Sequence, residues 1–166
     1  MANINLAYGT ASDVAIALTS LATDANLLAG QESDAVSNAL TLALDYLVSG
    51  KITTGTTPTT AKSIEVWAVG SWDGTNWPDV FDGVASAETV TSADIKSSVC
   101  RFIAAMATDA TSNRTYHFGP VSLAAAFGGV VPPKVVFFVT HSTVAALNAT
   151  GSNHQIRLQP IFETVA

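Results

Sequence analysis

Apolar residues recur at every second position in several short stretches of this chain, a rhythm that fits extended strands with one buried face and little else. Lys62 to Val69 shows it most plainly, with Ile64 and Val66 on one side and Glu65 and Trp67 on the other. Val14, Ile16 and Leu18 alternate with Ala15, Ala17 and Thr19, and Leu40, Leu42, Leu44 and Tyr46 alternate with Thr41, Ala43 and Asp45. The last run also has the Leu and Ala content of a helix. Val48, Ile52, Thr53 and Thr54 follow it with strand preference, so a half-buried strand is predicted.

Further strands are expected at Val99 to Ala107, Thr115 to Phe118, Lys134 to His141 and His154 to Phe162, each bounded by Gly, Pro or Asn/Asp-Ser/Thr punctuation. The Pro132-Pro133 pair, which has no N–H to give a ladder, marks where Lys134 can begin a strand, and Pro160 predicts an edge or irregular end for the last one. Asp73-Gly74 between Trp72 and Trp77 reads as a hairpin turn, since Gly supplies positive φ without steric cost. Thr53 to Thr60 reads as an exposed connection between neighbouring strands. Short helical turns are predicted at Ser92 to Ser98 and at Val121 to Phe127, the second ended by Gly128-Gly129.

Seven or eight short strands without a βαβ rhythm predict an all-β fold, a two-sheet sandwich of jelly-roll type with one or two helical turns. The 166 residues form one expected domain, 1–166, long enough to hide roughly 70% of the unfolded chain's surface. A hydrophobic fraction of 48% against 12% charged residues places the chain well away from disorder. No stretch approaches the ~20 continuous apolar residues of a membrane-spanning helix. Met1 to Tyr8 have neither a basic region nor an uninterrupted apolar one, so no cleaved secretory signal is expected and synthesis is expected in the cytoplasm. The net charge of -6 opposes attraction to nucleic acid.

Residues that could carry chemistry are scattered. Cys100, the one cysteine, lies in the apolar run Val99 to Ile103 and reads as a small buried hydrophobe. His141 and Ser142 are adjacent, but neighbours on a strand point to opposite faces, and the chain has no Gly-x-Ser-x-Gly elbow. His117, His141 and His154 stand apart without zinc-site spacing and read as surface or strand-end histidines. Asp73, Asp79 and Asp82 form the densest acidic group. Oxygen-rich loops of this kind can hold calcium, although Trp77 stands where an EF-hand would place an oxygen ligand, and turn-forming aspartates account for the group equally well. Gly128-Gly129 lacks the Lys-Ser/Thr of a phosphate loop. No catalytic residue, cofactor or metal is predicted. Trp67 reads as strand packing, whereas Trp72, Asp73 and Trp77 are the candidate contacts for a partner or ligand, with aromatic faces that could stack on a sugar.

The order of several segments is similar to that of small structural proteins from the virions of tailed bacteriophages, the capsid decoration or cement group. The likeness runs through Leu6-Ala7-Tyr8-Gly9, Asp13 to Leu21, Leu44 to Val48 with Lys51 to Gly55, and Ile64 to Gly74. It continues through Phe118-Gly119-Pro120-Val121-Ser122, Ala125 to Pro133, Ala145-Ala146-Leu147, Thr150-Gly151-Ser152 and a closing strand ending near Phe162. Val135 to Thr140 is more apolar than the group leads one to expect. The resemblance implies a non-enzymatic virion protein that binds the major capsid protein on the head surface as a homo-oligomer, a trimer being one arrangement it allows. The alternative expectation is a carbohydrate- or host-surface-binding module of a tail or baseplate, with Trp72 and Trp77 as a stacking pair.

Overall fold

The computed structural model describes residues 4–165. In chain order the elements are β1 (Ile4–Tyr8), β2 (Ser12–Asp13), β3 (Ala29–Glu32), β4 (Val36–Ser37), α1 (Asn38–Thr41), β5 (Asp45–Thr53), β6 (Lys62–Ser71) and β7 (Ala87–Thr89). There follow α2 (Ala93–Val99), β8 (Cys100–Thr108), β9 (Thr115–Ser122), α3 (Leu123–Ala126), β10 (Lys134–His141), a 3-10 turn at Gly151–Asn153, and β11 (Gln155–Val165). They build the two-sheet sandwich that the alternation predicts. One sheet runs β1-β11-β5-β9 with β2 also on β11, and the other runs β7-β3-β10-β6-β8 with β4 also on β10. Among the described residues, no helix is long and apolar enough to cross a membrane.

The main core lies between the sheets. Val48, Ile52, Ile156 and Leu158 from one sheet meet Ile64, Val66, Phe137 and Val139 from the other. Burying a side chain of this size stabilises the fold by roughly 1.5–3 kcal/mol. A second core lies on the outer face of the other sheet, where Val69, Cys100, Val136 and Phe138 pack under Phe81 and Val90. The segment from Trp72 to Val99 forms this cover, anchored where β7 pairs with β3 and where the Phe81 ring meets that of Phe138 edge-on at 5.5 Å.

β10 is therefore buried on both faces from Val135 to His141. That explains its continuous apolar run, because a strand with a core on each side has no solvent face to alternate with. α2 begins where Ser92 accepts a hydrogen bond from the Ile95 N–H, and α3 where Ser122 accepts one from Ala125. β11 is flanked on both sides, by β1 and by β5. Pro160 thus marks an irregularity rather than an edge: it falls beyond the last β1 pair, where the Gly9 N–H reaches its carbonyl at 2.8 Å. A Cβ on Gly9 would lie 2.6 Å from the Phe162 ring, so this approach requires glycine.

Four local expectations are corrected. Val14 to Leu18 is not a strand but a strap between the sheets: the Val14 N–H donates to Ile156 in one, and Ile16 makes a lone bridge to Ser33 in the other. Leu40 to Tyr46 is a helical turn followed by Leu42 at φ 53, and β5 starts only at Asp45. The Asn38 side chain closes that turn by bonding both backbone groups of Ala43 and the Tyr46 hydroxyl, which leaves Leu40 89% exposed. Asp73-Gly74 turns the chain but joins no hairpin, since β6 pairs with β8 and β10. Thr53 to Thr60 links strands of different sheets rather than neighbours, and Thr53 and Thr54 are buried.

Candidate functional site

A groove of about 440 Å³ opens where β6 leaves its sheet. Gly70, Trp72, Asp73, Asn76, Arg101 and Phe127 are among the residues that line it. A Cβ on Gly70 would come within 2.6 Å of Pro132 and 3.0 Å of the Phe127 ring, so the bare backbone is what lets Phe127 settle against the strand. Trp72 meets Phe127 edge-on, with ring centroids 6.0 Å apart and planes at 84°. That contact positions the indole while 60% of the residue stays exposed.

Asp73 organises its turn. Its carboxylate accepts the backbone N–H groups of Thr75 and Asn76, the Asn76 side-chain amide and the Ser71 hydroxyl. These donors, those of Asn76 foremost, hold its pKa well below the usual carboxylate range. Gly74, at φ +75, lets the turn close around it. Arg101 also lines the groove, and its guanidinium donates through Nη1 to the Ser98 and Cys100 carbonyls. Among the described residues Arg114 pairs with Asp109 and Arg157 with Asp13, while Arg101 has no carboxylate partner.

The structure brings Trp72 and Asp73 together and places Trp77 elsewhere. Trp77 is half-buried against the second core, its indole lying over Gly83. Trp67 packs as strand residues do, with its N–H on Glu65, its ring edge-on to Phe102 at 5.2 Å and Lys96 over its face. Asp73, Asp79 and Asp82 do not converge. Asp79 accepts the hydroxyl and N–H of Thr91, and Asp82 accepts the Val84 N–H. Among the described residues no three His, Cys, Asp or Glu side chains are grouped as metal ligands.

His141 is strand-terminal but wholly buried rather than at the surface, between the Thr143 hydroxyl and the Leu21 carbonyl. Burial lowers its basicity. The Ser142 hydroxyl is turned to the Ser63 N–H, so the two neighbours make no nucleophile–base pair. His154 bonds the Asn148 carbonyl, and burial lowers its basicity too. The Cys100 thiol is buried and pushed up to about 12 by desolvation, which makes it a packing residue at neutral pH.

Sequence reasoning missed Asn76, which shares the turn of Asp73, and Arg101 and Phe127, which reach the groove from separate elements with no shared local spacing. It also missed Glu32, wholly buried beneath the cover segment, with Oε1 accepting the Gly83 N–H at 2.8 Å and Oε2 without a hydrogen-bond partner among the described residues. Nothing in Gly30-Gln31-Glu32-Ser33-Asp34 signals such burial. Comparison with protein-family models, curated proteins and solved structures yields no match to this chain.

Proposed function

We propose that this protein is a structural component of a bacteriophage virion, a decoration protein that attaches to the assembled head as a homo-oligomer and reinforces contacts between capsid subunits. The observation that carries this reading is β1. It lies at the edge of its sheet, and Ile4, Leu6 and Tyr8 stand on one face with 67%, 67% and 64% of their surface exposed. Edge strands that function alone are usually blunted by charge, proline or a bulge, and Ile4-Asn5-Leu6-Ala7-Tyr8 has none of these. Such a strand suits packing against another subunit.

The two-core sandwich supports the same reading, because a thick, well-packed body transmits load between contacts without rearranging. Many copies, each adding a modest apolar contact, would together attach durably through multivalency. The test is the protein content of purified virions, with a reconstruction of the head. Many copies on the head surface are expected, and absence from virions, or presence at the tail tip alone, would refute the proposal.

The second reading, a carbohydrate- or host-surface-binding module, is favoured by one observation, the exposed Trp72 in a groove with polar walls.

A further inference from the structure

We infer that the groove between Trp72 and Arg101 binds an acidic saccharide, with a sugar ring lying on the Trp72 indole and a ring carboxylate meeting the Arg101 guanidinium. This rests on the second reading of the groove and is independent of attachment to the head.

A tryptophan this exposed leaves a large apolar surface in water unless something covers it, and here the edge-on contact with Phe127 positions the ring. The C–H face of a pyranose ring is apolar and flat enough to cover an indole, while its rim of hydroxyls needs polar partners nearby. Asn76 provides one, because its amide nitrogen is occupied by Asp73 and its carbonyl oxygen makes no hydrogen bond among the described residues.

Charge selects the class of sugar. Asp73 also lines the groove, but four donors already converge on its two oxygens, so it serves to hold the turn. Arg101 uses only Nη1, and only on backbone carbonyls, which leaves Nε and Nη2 for a ligand. A guanidinium with a free edge and no carboxylate partner is complementary to a planar carboxylate, which it can bind through two parallel hydrogen bonds. A uronic or sialic acid presents such a carboxylate on the same ring that would stack. A neutral sugar would leave the cation unanswered.

The test is a glycan array of neutral, uronate-bearing and sialate-bearing oligosaccharides, probed with wild type, Trp72→Ala, Arg101→Gln and Val144→Ala. Val144 is exposed beyond the opposite end of β10 and serves as the control. Hits are titrated by tryptophan fluorescence, with circular dichroism to establish that each variant is folded. Binding restricted to acidic glycans, weakened about tenfold or more by either groove substitution and unchanged by Val144→Ala, is the expected result. Absence of any glycan binding by the wild type would overturn the inference, as would preference for neutral glycans or an Arg101→Gln variant that binds like the wild type. Virion composition is read separately, so failure here leaves the head-attachment reading standing, and the reverse also holds.

Discussion

The Lys96 ammonium lies 2.8 Å from the Glu65 carboxylate, with the lysine side chain 7% exposed and the glutamate 18%. The same ammonium donates to the Leu27 carbonyl at 2.6 Å and sits 4.6 Å from the centre of the Trp67 ring. One charge thus ties α2, β6 and the segment before β3 together at the edge of the second core. Lys96→Met should cost about 3 kcal/mol in urea unfolding, because it leaves the Glu65 charge largely desolvated with only the Trp67 N–H in place of its cation. Glu65→Gln combined with Lys96→Met should recover more than half of that loss, and a double variant as unstable as the single one would contradict this account.

Glu32 gives stability a pH dependence of definite sign. Burial, the largest influence, raises its carboxyl from the ordinary value of 4.5 to about 7, with Asp82 and Glu88 adding smaller repulsion and the Gly83 N–H opposing. The folded state therefore holds a proton that the unfolded state has released. The resulting stabilisation is complete below about 4.5 and lost as pH rises through 7. Relative to Glu32→Gln, the wild type should lose up to about 3 kcal/mol between pH 4.5 and pH 8. Chemical denaturation of both proteins across that range measures the difference directly, and parallel pH profiles would show that the carboxyl titrates normally.

What could be read in advance follows from what alternation reports. It records which side chains are buried on one face, so β6 was legible from it, whereas the apolar run of β10 was legible from the Pro132-Pro133 boundary before it and α2 as a helical turn at Ser92 to Ser98. Whether an extended backbone has a ladder partner is a separate matter. Val14 and Leu18 are buried as the rhythm requires, yet their segment bridges two sheets and joins neither as a strand. Leu40, Leu42 and Leu44 obey the period but lie outside the core, because the Asn38 side chain turns the chain there. Trp72 and Asp73 were legible as a site because an aromatic preceding Asp-Gly at a strand end is a local pattern. Arg101 and Phe127 come to that site only through tertiary packing.

The second core predicts a way to loosen the cover without melting the sandwich. Phe81 is buried and touches Phe138 edge-on, whereas the cover around it is otherwise held by hydrogen bonds, between Asp79 and Thr91, between Glu32 and Gly83 and along the β7–β3 ladder. Phe81→Ala should cost about 3–4 kcal/mol and leave a cavity over β10. Amide exchange should then accelerate between Trp72 and Val99 while β5 and β11 keep their protection, since those strands face the other core. Uniform acceleration across both sheets would mean that the two cores unfold as one.

The outward face of β1 separates folding from assembly. Leu6 is two-thirds exposed, so Leu6→Lys removes little buried surface and should change monomer stability by no more than about 0.5 kcal/mol. In an oligomer built through this face, the same lysine would be buried without a carboxylate partner and would strongly oppose association. Light scattering after size exclusion should therefore give an oligomer for the wild type and a folded monomer for Leu6→Lys. Leu40→Lys tests how far the interface extends, because Leu40 is still more exposed but lies on α1. An oligomer that survives Leu6→Lys would place the contact elsewhere and remove the observation on which the head-attachment proposal stands.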